Sequence, residues 1–119
     1  MTALATLAMV NIDAADPEVL AAFYHQVLGW DVTHSERDYA MISDGTTAVG
    51  FGRVEGYRAP QWPDAGKQFH LDFHVGDLAE AEARCLELGA AKPEFQPGGD
   101  RWTVLTDPSG HPFCICLKS

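Results

Sequence analysis

Basic side chains are scarce in this chain: eight lysines and arginines stand against 17 aspartates and glutamates, a formal charge of −9 over 119 residues. So acidic a surface repels phosphate backbones and anionic bilayers, and it excludes nucleic acid and membrane as expected partners. Cysteine is sparse too, three in all, with Cys114 and Cys116 two positions apart. An odd number so placed is no disulfide framework, and it assigns the chain to a reducing, cytoplasmic setting. No apolar run approaches the ~20 residues of a membrane-spanning helix. Met1–Val10 lacks a basic leader and a small-residue cleavage site, so no secretion signal is expected.

What is present is ordinary soluble-protein material, 46% hydrophobic and 21% charged. At this length one domain is expected, burying roughly two-thirds of its unfolded surface. Leu4–Ile12 alternates weakly and reads as a strand, with Leu7, Met9 and Asn11 on one face. Asp16-Pro17 opens a helix as N-cap and first helical residue, Leu20, Phe23, Tyr24, Val27 and Leu28 keep helical spacing, and Gly29 closes it. Trp30–His34, Tyr39–Ser43 and Thr47–Phe51 follow as short strands, the last two joined by the turn residues Asp44-Gly45.

The stretch Arg53–Lys67 differs in kind. Two prolines and two glycines exclude a long regular element, yet it carries Tyr57 and Trp62. It is either a lid over a binding site or a crossover whose aromatics cover the core.

The pattern then restarts. Phe69–Val75 alternates strictly, placing His70, Asp72 and His74 on one face and Leu71, Phe73 and Val75 on the other. Asp77 caps a second helix with Glu80 at capping-box spacing, Leu78, Ala81, Cys85 and Leu88 form its buried stripe, and Gly89 ends it. Lys92–Phe95, Trp102–Thr106 and Phe113–Leu117 are the remaining strands, with Asp107-Pro108-Ser109-Gly110 a turn. The order β-α-β-β-β therefore occurs twice, in a module of about 4–52 and another of about 69–117, joined by a linker of about 53–68.

Two such modules, together with Phe23-Tyr24-His25-Gln26-Val27-Leu28-Gly29, His70-Leu71-Asp72-Phe73-His74-Val75-Gly76-Asp77-Leu78 and Asp107-Pro108-Ser109-Gly110-His111-Pro112-Phe113-Cys114, resemble the vicinal oxygen chelate superfamily of glyoxalases, bleomycin-resistance proteins and extradiol dioxygenases. The Tyr57…Pro60-Gln61-Trp62-Pro63 loop is similar to its glyoxalase-like subgroup. The resemblance spans essentially the whole chain. It implies an α+β fold in which two βαβββ modules form a cupped, partly open mixed β-barrel with helices packed outside. It also implies a homodimer.

Metal-dependent members hold a divalent ion with His, Glu or Gln from the first and last strands of each module. Carried over, these positions fall on His70, on or near Leu7, in Val49–Gly52, and on Cys114. Only His70 is matched, so no catalytic metal and no cofactor is expected, since a lone imidazole is a poor site for Mg²⁺, Mn²⁺ or Fe²⁺. A zinc site of His70, His74, Cys114 and Cys116 is the alternative, as is a catalytic Cys114 activated by His70; packing of both thiols as small hydrophobes stands against them. Asp72 could fix a histidine tautomer or act as a base, which leaves His70, Asp72 and Cys114 as the catalytic candidates.

The expectation is a protein that binds a small organic molecule, sequestering it as the resistance members do. The site is expected from Leu7, Met9, Asn11, His70, Asp72, His74, Trp102 and Cys114, with Trp62 as lid. The rivals are a metal-dependent lyase, isomerase or dioxygenase working through His70, and a structural or regulatory domain whose cup is filled by its own side chains.

Overall fold

The computed structural model describes residues 3–4, 6–60, 62–63 and 69–117. Gln61 and residues 64–68 lie outside it, and with them most of the second half of the expected lid. The chain separates into two compact units, 1–57 and 58–119.

In the first unit, β1 (Val10–Ala14), α1 (Pro17–Leu28), β2 (Asp31–Ser35), β3 (Tyr39–Ser43) and β4 (Ala48–Arg53) follow the expected order. Asp16 caps α1, its side chain accepting from the Val19 backbone N–H at 3.4 Å, and Pro17 has no N–H to leave unpaired there. At the other end Gly29 takes the left-handed conformation, φ 74°, and donates its N–H to the His25 carbonyl at 2.8 Å. The sheet runs β1-β4-β3-β2, with β1 parallel to β4 and the other pairs antiparallel.

β1 begins later than Leu4, because its partner β4 begins at Ala48 after the Asp44–Thr47 turn and pairs from Val49 to Val10. Residues before Val10 have no strand partner in this unit among the described residues. Ile12, Ala14, Ala40, Ile42 and Phe51 are buried, and α1 covers that face with Leu20, Phe23 and Tyr24. Tyr24 stacks on Phe51, the ring centroids 5.7 Å apart and the planes within 3°.

The second unit repeats the plan with β5 (Leu71–Val75), α2 (Leu78–Glu87), β6 (Trp102–Thr106) and β7 (Pro112–Leu117). Asp77 caps α2, accepting from the Glu80 N–H at 2.9 Å. The sheet runs β5-β7-β6, β5 parallel to β7 and β6 antiparallel to it. α2 packs on β6 and β7, with Cys85 its one buried residue, so Leu78, Ala81 and Leu88 are less deeply covered than the expected stripe. No helix of the described residues is long and apolar enough to cross a membrane.

One expected strand is missing. Lys92–Phe95 makes only an isolated bridge nearby, Ala91 to Thr106. Pro93 has no N–H for a ladder. The edge of β6 is met instead by a side chain: the Gln96 amide accepts from the Val104 N–H at 2.9 Å and donates to its carbonyl at 2.8 Å. One amide thus does what a strand residue does in the first unit, where β2 lies along β3. The fold class is α+β with two βαβββ-type modules, the second with three strands rather than four.

Candidate functional site

Side chains alternate along a strand and partners across a ladder share a face, so the register says which residues meet. In the second unit Asp72 pairs with Cys114 and Cys114 with Val104; one step on, His74 pairs with Cys116 and Cys116 with Trp102. All six share one face. Leu71, Phe73, Phe113, Ile115, Thr103 and Leu105 share the other, where Phe73 and Phe113 rings meet at 5.5 Å. The apolar face corresponds to the one that α1 covers in the first unit. The polar face carries no helix of its own unit among the described residues.

His70 precedes β5, which starts at Leu71 opposite Phe113, one residue into β7. Its Nε2 lies 3.2 Å from Asp72 Oδ1, the two side chains 36% and 64% exposed. Cys114 closes the group from the neighbouring strand and is only 7% exposed. One ligand atom each from His70, Asp72 and Cys114 all lie within 4.8 Å of one another. The alternative zinc quartet of His70, His74, Cys114 and Cys116, against which thiol packing stood, is not the set that converges among the described residues. Cys116 Sγ donates instead to the Phe73 carbonyl at 3.7 Å. A carboxylate from the same strand takes the place of the second imidazole and second thiol. Cys85 sits in the helix, where burial pushes its thiol pKa up, against an opposing pull from Arg84.

The first unit places Met9, Asn11 and Tyr39 around Gly50. A Cβ on Gly50 would run into Asn11 Oδ1 and Tyr39 Oη and come within 2.9 Å of Met9 Cε, and Tyr39 Oη donates to Met9 Sδ at 3.8 Å. Asn11 pairs with Gly50 as Asp72 pairs with Cys114, and Asn11 precedes the Asp16 cap by the same spacing as Asp72 precedes Asp77. The counterpart of His70 is therefore Met9. Leu7, where the resemblance placed that position, lies before β1 and is 83% exposed. The repeat replaces imidazole, carboxylate and thiol by thioether, amide and glycine. A hard Mg²⁺ or Mn²⁺ ion, which takes several oxygen donors, does not fit the residues that either unit supplies at these positions. Gly50 and Tyr39 were not singled out by sequence, since the need for a missing Cβ depends on which side chains cross it.

Gly50→Ala should cost about 1–3 kcal/mol in urea unfolding, the range for overpacking, because the rigid Tyr39 ring must shift. A change within about 0.3 kcal/mol would mean that the three side chains swing away freely, given that surface substitutions usually stay within ±0.5.

Trp62 is anchored inside the second unit. Its indole N–H donates to the Phe95 carbonyl at 3.2 Å and the rings stand 6.2 Å apart. Trp102, half-buried, has the Arg101 guanidinium 5.6 Å from its ring centroid.

The profile of a family described as a glyoxalase-like domain matches residues 9–116. A glyoxalase/bleomycin resistance protein/dioxygenase family enzyme from Burkholderia phytofirmans PsJN is 24% identical, with a TM-score of 0.69 over 93% of this chain and 97% of that one. A glyoxalase-related enzyme from Fulvimarina pelagi is 19% identical, with a TM-score of 0.68 over 97% and 89%. A bleomycin resistance determinant encoded on transposon Tn5 is 20% identical, with a TM-score of 0.58 over 97% and 99%. These likenesses are of fold. No curated protein matches.

Proposed function

This chain belongs to the glyoxalase-like domain family of the vicinal oxygen chelate superfamily, and from that premise and its own second sheet we propose that it binds a small organic molecule. One observation carries the reading: imidazole, carboxyl and thiol groups converge within 4.8 Å on a sheet face without a helix of its own unit. A face meant only to be buried would carry the Leu-Phe-Val pattern of the opposite side. One meant only for water would not pair a 7%-exposed thiol with Asp72.

His70, Asp72, His74 and Trp102 supply complementary means of recognition. The imidazoles and the carboxyl group accept or donate hydrogen bonds, and the indole offers a flat apolar surface. The net charge of −9 favours cationic or neutral ligands over anionic ones. Binding does not call for a hard divalent ion. Sequestration is the reading we prefer, because a bleomycin resistance determinant shares the fold. The enzymatic reading rests on the His70–Asp72 contact at 3.2 Å, a geometry that suits a general base.

A thermal-shift screen of small organic compounds, cationic aromatics included, tests the proposal. A true ligand raises the melting temperature in proportion to the logarithm of its concentration, and Asp72→Ala should weaken it by about tenfold, or ~1.4 kcal/mol. Unchanged affinity in Asp72→Ala and Trp102→Ala would remove this face as the site.

A further inference from the structure

We propose that the polar face of the second sheet takes a flat, dipolar molecule, an aromatic ring with a carboxylate held by Arg101 at one end and an ammonium group held by Asp72 at the other. This rests on the binding proposal and names the chemical class of its ligand.

The register sets the span between the two charges. Trp102 opens β6 on this face, next to Cys116 of β7, which in turn lies next to His74 of β5. Asp72 is therefore two strands across from Trp102 and two residues along. Strand spacing and rise put their Cα atoms roughly 12 Å apart. Once the side chains reach inward, one aromatic ring with a group at each end bridges that distance.

The indole is seated by its own loop. A Cβ on Gly98 would run into Trp102 Cδ2 and come within 2.6 Å of Cε2, so the bare Gly98 backbone lies against the ring. The Arg101 N–H donates to the Gly98 carbonyl at 3.0 Å, and the Arg101 guanidinium stands over the indole. Gln96 ties the same loop to β6 through both backbone groups of Val104.

The charges decide the class of ligand. Arg84 and Lys92 are paired with Glu87 and Glu82, whereas Arg101 meets no carboxylate within ion-pair distance among the described residues. A guanidinium over an indole uses its face for cation–π attraction and keeps, in its plane, the N–H fork that grips a carboxylate. At the far end Asp72 is 64% exposed and offers its carboxylate to an ammonium group. A simple cation stacked on Trp102 would lie beside Arg101 and be repelled, and a simple anion meets Asp72 and the net charge of −9. A molecule with both charges is attracted at both ends.

The test titrates the whole chain, in low-salt buffer, with three probes that share one ring: 4-(aminomethyl)benzoate, benzylamine and benzoate. Ligand-observed NMR reads the affinities. The dipolar probe should bind about tenfold or more tightly than either singly charged one, since each end adds a charge-assisted hydrogen bond. Arg101→Ala should erase its advantage over benzylamine, Arg101→Lys should keep part of it, and Asp72→Asn should erase its advantage over benzoate. Each ratio is taken within one variant, so a loosened fold that weakens every probe alike leaves it unchanged. Equal binding of the dipolar probe and benzylamine by wild type, or an advantage that survives Arg101→Ala, overturns the assignment. Should benzylamine bind through Asp72 with no gain from the added carboxylate, this inference falls and the binding proposal stands.

Discussion

Phe51→Ala is expected to destabilise the protein by about 3–5 kcal/mol, the upper range for emptying a core position. Phe51 is fully buried and sits in β4, which bonds to both β1 and β3. Its cross-strand partners Ile12 and Ala40 are 2% and 0% exposed, so neither can be replaced by water when the ring goes. Tyr24 stacks flat on the ring from α1, and Tyr24 in turn meets Phe23 edge-on, centroids 5.0 Å apart at 84°. Truncation therefore leaves a cavity beneath the helix and removes an aromatic pair worth about 0.5–1.5 kcal/mol beyond its area. For a domain whose total stability is of order 5–15 kcal/mol, that is a large share. Urea unfolding reads the loss, and Phe51→Leu should recover more than half of it by filling much of the volume. A cost below about 1 kcal/mol would show that α1 settles into the gap.

Local chemistry made some of this molecule readable from residues alone. Asp16-Pro17, Gly29 and Asp77 mark helix ends because capping is a contact between near neighbours. The alternation from Phe69 to Val75 gave the faces of β5 correctly for the same reason, since period two is a property of one strand. Register is another matter. Which residue lies opposite Asp72 depends on a parallel pairing reached only after α2 and β6, and nothing near Asp72 specifies it.

That is why the zinc alternative drew on His74 and Cys116, while Asp72 was read only as a partner or base for the histidines. It is also why Leu7 stood where the repeat puts Met9: the first strand starts where β4 allows, at Val10. Gln96 was invisible for a third reason. A glutamine side chain that completes a sheet edge looks in sequence like any loop residue, and Lys92–Phe95 looked more like a strand.

Asp107→Ala should be the second most damaging change, costing about 2–4 kcal/mol. The Asp107 side chain is entirely buried in the turn that leads into β7. Its Oδ1 accepts from the backbone N–H of Ser109 at 2.9 Å and of His111 at 3.0 Å, while His111 Nδ1 lies 3.1 Å from Oδ2. The main chain closes the same loop, Asp107 N–H to the His111 carbonyl at 2.9 Å and Gly110 N–H to the Asp107 carbonyl at 2.8 Å. Alanine takes the side-chain acceptor from two backbone N–H groups at once, one of them on the buried Ser109, and such groups cost about 1–3 kcal/mol each when nothing replaces the bond.

Asparagine keeps an oxygen for both N–H groups and should cost roughly 1 kcal/mol, the value of one typical hydrogen bond. The consequence reaches the site, because this turn sets where β7 starts and hence that Cys114 falls opposite Asp72. Cys114, 7% exposed in the intact sheet, should react with a thiol reagent faster in Asp107→Ala than in Asp107→Asn. Equal melting temperatures and equal labelling rates in the two variants would mean that the turn holds without its carboxyl group, and that the register of β7 is fixed by the ladders alone.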